Sequence, residues 1–160
     1  MEIIVGIAGM RVSDDASVVL AAYSLGSCIG VAVWDSSARI GGLLHFMLPN
    51  SRVAPDKARL NPFMFADTGI PLLLSSCYDI GADRDDLMAW LAGGSQPLES
   101  SKFLDIGERN HIMAREILLH HGIQIAGEDV GGSVNRTLKL HVGSGDVWVV
   151  LGEGEERILR

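Results

Sequence analysis

Much that would announce a function is scarce in this chain. Only two cysteines, Cys28 and Cys77, occur in 160 residues, which excludes a disulfide scaffold. Aromatic residues make up 6%, and 13 Lys+Arg against 20 Asp+Glu leave a formal net charge of -7. A nucleic-acid binder needs cations for phosphates and rings for base stacking, so that class is excluded. No uncharged apolar run approaches the roughly 18 residues of a membrane helix. The run Leu72-Leu73-Leu74 is bounded by Pro71 and Ser75-Ser76. Met1 to Gly6 has no basic leader ahead of an apolar stretch, so no secretory signal is expected. With both thiols read as reduced, the expected location is the cytoplasm. Repeats and Gly/Pro/Ser-rich linkers are also missing.

What is present is core-forming material. Apolar residues reach 48%, enough at this length for one buried core without a metal or disulfide staple. One domain over residues 1–160 is expected, ending in a charged and loose tail from about 153 to 160. Strands are expected at Ile3–Val5, Val18–Tyr23, Ile29–Trp34, Ile40–Met47, Leu87–Ala92 and Ile123–Ile125. Asp14-Asp15 reads as a loop, and Asp35–Ala38 as a hairpin turn. The irregular stretch Pro49–Pro55 reads as a loop carrying Arg52, with Lys57 and Arg59 beyond it as candidate cations for a protein partner. Ile70, Leu73, Leu74 and Cys77 have helical spacing, with Asp67 as the starting cap. A second helix is expected from about Gly107 to His121, and a hairpin joins Thr137–Val142 to Val147–Leu151. Strands apolar on both faces want cover on both sides. The fold class is therefore an α/β (α+β) sandwich, with mixed, mostly antiparallel sheets and helices packed on them.

The glycine-rich stretches at Gly6–Gly9, Gly93-Gly94 and Gly131-Gly132 lack a phosphate-loop context, and His111, His120, His121 and His141 lack metal-ligand spacing. Neither cofactor nor metal is expected. Cys77, at helical spacing among leucines, reads as core. Cys28 is different: it lies in Leu25-Gly26-Ser27-Cys28-Ile29-Gly30, between two glycines that cannot shield it. Backbone N–H groups at such a turn can face a developing oxyanion. A small buried core cysteine remains the alternative. His45, on the next apolar strand, falls directly opposite Cys28 if the hairpin turn centres on Ser36-Ser37. A thiol and an imidazole so placed can exchange a proton. A hydrogen-bonded core histidine is the alternative there, and a one-residue register slip would separate the pair.

Leu25-Gly26-Ser27-Cys28 followed by His45-Phe46-Met47-Leu48-Pro49 resembles the signature of the CheD family of chemoreceptor glutamine deamidases. The resemblance continues through Phe65-Ala66-Asp67-Thr68-Gly69-Ile70-Pro71-Leu72-Leu73, Gly93-Gly94-Ser95, Ile106-Gly107-Glu108-Arg109-Asn110, and Asp129-Val130-Gly131-Gly132 with Arg136. It implies deamidation of selected glutamines on methyl-accepting chemotaxis receptors, with Cys28 as nucleophile and His45 as general acid/base. The N–H groups of Ser27 and Ile29 would hold the oxyanion. A CheC-type phosphatase is implied as regulatory partner. The family's third active-site residue, a threonine, falls on Ala22 here, and Ser24 is the neighbouring hydroxyl offered in its place. That departure keeps a second reading in view, a weakly active or inactive homologue that serves as a binding partner. A cysteine hydrolase of another class, such as a protease or a transglutaminase-like enzyme, is the third.

Overall fold

The computed structural model describes residues 1–96, 105–152 and 154–159. Its strands are β1 (Glu2–Ile4), β2 (Gly9–Ser13), β3 (Val19–Leu25), β4 (Ile29–Asp35), β5 (Ile40–Phe46), β6 (Leu87–Gly93), β7 (Gln124–Val130), β8 (Arg136–His141), β9 (Val147–Leu151) and β10 (Glu156–Ile158). Three helices join them: α1 (Pro55–Leu60), α2 (Ala66–Asp79) and α3 (Ile106–His120). One sheet has the order β1-β3-β8-β9-β10 and the other β2-β5-β4-β6-β7. Pairing is antiparallel except for β1 with β3 and β6 with β7.

Period-two alternation sorts the side chains of β4 and β5 into two cores. Leu44, Phe46, Val31 and Val33 face Ile70, Leu73 and Leu74 of α2 and Leu118 of α3. Ala32 and Leu43 face Leu20, Leu138 and Leu140 of the other sheet. The layers therefore run sheet, sheet, helices, which is the expected mixed α+β sandwich. Every residue of β5 is buried, as its continuous apolar run requires of a strand covered on both sides. Cys77 sits fully buried in α2 within the helix-side core, as its spacing foretold.

Several local expectations need correcting. Gly9–Ser13, given no element from the sequence, is an edge strand; its half-polar sequence hid a five-residue pairing with β5. The stretch after Pro49 is not irregular but holds a 3-10 turn at Ser51–Val53 and then α1, which carries Lys57 and Arg59 on its exposed surface. Asp67 does not cap α2, whose N-cap is Phe65. The Asp67 carboxylate instead accepts from Ser51 N at 2.9 Å and Ser51 Oγ at 2.7 Å, fastening the 3-10 turn to the helix. The charged tail is not loose: Glu156–Ile158 pairs with β9, and Leu159 buries itself in the inter-sheet core.

The hairpin register also differs from expectation. The Asp35 carboxylate accepts from Ser37 N (2.8 Å) and Ala38 N (2.9 Å), and Arg39 N donates to Asp35 O (2.9 Å). Arg39 takes a left-handed φ of 55° to close this loop. Asp35 then pairs with Ile40, so Gly30, not Cys28, lies directly across from His45. The displacement is by a whole pleat, and both side chains keep the same face.

Candidate active site

Residues 26–28 form a bend between β3 and β4, and its three carbonyls are all held. Gly26 O accepts from Ser95 N (2.9 Å), Ser27 O from the Asn110 amide (2.9 Å), and Cys28 O from Gly94 N (2.9 Å). Ser27 N donates to no acceptor among the described residues. Gly93 has a φ of +113°, and a Cβ there would overlap the Cys28 carbonyl oxygen. Only glycine serves at such a position. Gly107, in the first turn of α3, packs backbone on backbone: a Cβ would meet Gly94 O at 2.5 Å and Ser95 O at 2.6 Å. Behind Gly93, its carbonyl accepts from Gly131 N (3.0 Å) and Arg136 Nη1 (3.3 Å). Arg136 is itself paired with buried Asp129 at 2.9 Å, and Arg157 shares that carboxylate. Breaking a buried pair of this kind from one side costs about 3–5 kcal/mol. Most of the motif blocks noted along the sequence are thus supports of one bend.

Replacing Gly93 by alanine forces either the φ or the Gly94–Cys28 hydrogen bond to give way. The expected result is a loss of about 3 kcal/mol in urea unfolding. Any activity that depends on the Cys28 thiol should fall further than the folded fraction does; equal losses would show that the bend has no part in it.

The Cys28 thiol is half-buried and packs against the inter-sheet core beside Leu25. Burial pushes its pKa up, and its own backbone N–H pulls in the other direction. His45 is 1% exposed, on the inter-sheet face of β5 that also carries Leu43. Its Nδ1 lies 3.3 Å from Val5 O, so Nδ1–H donates and Nε2 keeps the lone pair. Nε2 is buried with no partner among the described residues. Burial pushes the imidazole pKa down from its ordinary 6.5, while the Val5 carbonyl raises it. Both groups are therefore neutral near pH 7 and form no ion pair. Across the shared register Cys28 and His45 are diagonal neighbours, roughly 7–8 Å apart along the backbone, and no hydrogen bond joins them among the described residues.

The low imidazole pKa has a consequence for stability. An unfolded histidine takes up a proton near 6.5, whereas folded His45 resists it until lower pH. The unfolded state then binds more protons, so folding stability drops as pH falls below 6.5. Urea midpoints should decline over that window, and the decline should be smaller in a variant without the imidazole.

Ser24 does not occupy the place considered for it. The pairing of β3 with β8 slips by one residue between Ala22 and Leu25, and Ser24 takes a φ of 58°. This bulge breaks the alternation that would have put Ser24 on the face of Ala22. Ala22 is buried in the inter-sheet core, while Ser24 is exposed in an outer groove with Asn135 and Thr137. Ile29 opens β4 between Phe46 and Gly93. An inter-sheet cavity, lined by Met88, Trp90 and Leu159, lies toward the far end of β6 and touches none of these residues. Sequence reasoning missed the Val5 carbonyl, because a backbone acceptor leaves no side-chain signature. It also gave Asn110 no role, though Asn110 stands inside one of the quoted blocks.

Comparison with known proteins bears directly on this arrangement. Residues 47–150 match the family model described as CheD chemotactic sensory transduction. The probable chemoreceptor glutamine deamidase CheD of Solibacter usitatus is 49% identical over 148 residues, covering 92% of this chain and 88% of that protein. The probable chemoreceptor glutamine deamidase CheD 1 of Syntrophus aciditrophicus is 44% identical over 158 residues, covering 99% of both. A third, CheD 2 of Anaeromyxobacter dehalogenans, is 42% identical over 149 residues, covering 93% of this chain and 94% of that one. At this identity and coverage the chain belongs to the CheD family.

Proposed function

We propose that this chain is a cytoplasmic protein-glutamine glutaminase that converts glutamine side chains of methyl-accepting chemotaxis receptors to glutamate. The observation that carries the reading is a partly buried thiol, Cys28, sharing a sheet face with an imidazole whose Nδ1 is tied to Val5 O and whose Nε2 has no partner among the described residues. Most buried histidine nitrogens in folded proteins have a partner, and this one is left open to a reacting group.

In the reaction, Cys28 Sγ attacks the carboxamide carbon as its proton passes to His45 Nε2. The N–H of Ser27, which has no acceptor among the described residues, receives the oxyanion, an interaction worth about 3–4 kcal/mol in comparable sites, whereas that of Ile29 is taken up in the ladder opposite Phe46. Collapse of the tetrahedral adduct breaks the C–N bond, and His45 returns the proton to departing ammonia. Water then adds to the thioester with His45 as base, releasing glutamate and the free thiol. The Val5 carbonyl keeps the imidazole in one tautomer, the task that a third side chain would otherwise perform. The same reading gives the enzyme a CheC-type phosphatase as regulator.

The buried alanine at position 22 and the unbonded thiol and imidazole favour one other reading, a binding partner without turnover. Incubation with receptor cytoplasmic fragments, followed by mass spectrometry, separates the two. Conversion of glutamine to glutamate that depends on Cys28 supports the enzyme; no conversion on any receptor of the same cell supports the partner. Peptide cleavage or amine incorporation would overturn both.

A further inference from the structure

We infer that Asn110 is a positioning residue, whose single amide nitrogen fixes the spacing between the bend that carries Cys28 and the strand end that carries His45. The inference rests on the Cys28–His45 reading. Asn110 lies on α3, fully buried, and its Nδ2 donates to Ser27 O at 2.9 Å and to Met47 O at 2.8 Å. Both neighbours are carbonyls, so the nitrogen, not the oxygen, must face them.

The location of these two bonds gives them their meaning. The ladder between β4 and β5 runs from Asp35↔Ile40 to Ile29↔Phe46 and stops there. Cys28 and Met47 stand at the next rung, where no backbone pair is formed. Ser27 precedes the thiol by one residue, and Met47 follows the imidazole by two. The remaining anchors of the two segments lead elsewhere: Gly26 O and Cys28 O go to Ser95 and Gly94, and Met47 N goes to Met64 O. Asn110 therefore bridges the two reactive segments where the ladder has ended. Its reach depends on the glycine contact below it, where Gly107 lets α3 settle on the carbonyls of Gly94 and Ser95.

A buried asparagine within a helix is a poor choice for packing alone, since an apolar side chain fills such a space without a polar group to satisfy. The amide is explained by the two carbonyls it joins. A diagonal thiol–imidazole pair is sensitive to small shifts of either strand, and a displacement of about 1 Å at a reacting centre can cost about 100-fold in rate.

The test measures kcat and KM for deamidation of a receptor cytoplasmic fragment by Asn110→Leu, which removes the donors, and Asn110→Ser, which leaves one hydroxyl. Cys28→Ala is assayed alongside, and circular dichroism with urea unfolding gives the folded fraction of each. Per folded molecule, kcat should fall about 100-fold for Asn110→Leu and about 10-fold for Asn110→Ser, with KM changed by less than about twofold. If Asn110→Leu does not fold, Asn110→Ser decides. Wild-type kcat in the folded variants overturns the inference, as does a loss that tracks the folded fraction alone. Should Cys28→Ala keep wild-type activity, or the wild type show none, the site reading falls and the inference with it. An inactive Cys28→Ala beside fully active Asn110 variants overturns the inference alone.

Discussion

Replacing Cys28 by alanine should lower the rate of receptor deamidation by about 10,000-fold or more, the loss seen when a covalent nucleophile is removed. Among the described residues, nothing near it can take over. Cys77 is fully buried in α2, and its thiol is pushed up to about 12 by burial and by the negative charge of Asp35. A thiol so protonated, and facing the helix-side core, offers no thiolate to a receptor. The Ser27 hydroxyl lies one residue away but carries no base. Because Cys28 is only partly buried, the variant should fold with a loss of about 1 kcal/mol or less. Cys77→Ala is the matching control: it should cost stability through a core cavity and leave kcat unchanged. Mass spectrometry of the receptor fragment reads both. Full activity in Cys28→Ala, or loss of activity only in Cys77→Ala, would refute the assignment of the nucleophile.

The parts of this arrangement that were legible in advance are those written in side-chain chemistry and periodicity. The apolar runs of β4 and β5 foretold strands covered on both faces, and Ile70, Leu73, Leu74 and Cys77 foretold the buried face of α2. What escaped was set by the backbone. The hairpin loop closes as it does because the Asp35 carboxylate gathers two N–H groups and Arg39 accepts a left-handed φ. Turn-residue composition alone does not distinguish that loop from one centred a residue earlier. The bulge that turns Ser24 outward depends on pairing with β8, more than a hundred residues later in the chain. β2 escaped because an edge strand with one polar side carries no apolar run. The site followed the same division. Cys28 and His45 stood out as chemistry, while the Val5 carbonyl, the held carbonyls of the bend and the Asn110 bridge exist only once remote segments meet.

The second large effect is expected at His45, and it separates function from stability. His45→Leu removes the proton acceptor, so deamidation should fall by about 1,000-fold, within the range for loss of a positioned acid/base. Stability should respond in the opposite sense or not at all. The imidazole keeps a buried Nε2 without a partner among the described residues, held only by a 3.3 Å contact at Nδ1. A leucine buries comparable volume with no nitrogen to desolvate, between the apolar neighbours of the inter-sheet core. Near pH 7 the variant should match the wild type or exceed it by about 1 kcal/mol in urea unfolding. Below pH 6.5 the gap should widen, because the wild type alone carries a histidine whose protonation opposes folding. A group retained at such a cost is kept for its reactivity, and this pairing of lost rate with undiminished stability is its signature. A variant that loses several kcal/mol, with activity falling in proportion to the folded fraction, would make His45 a core residue instead.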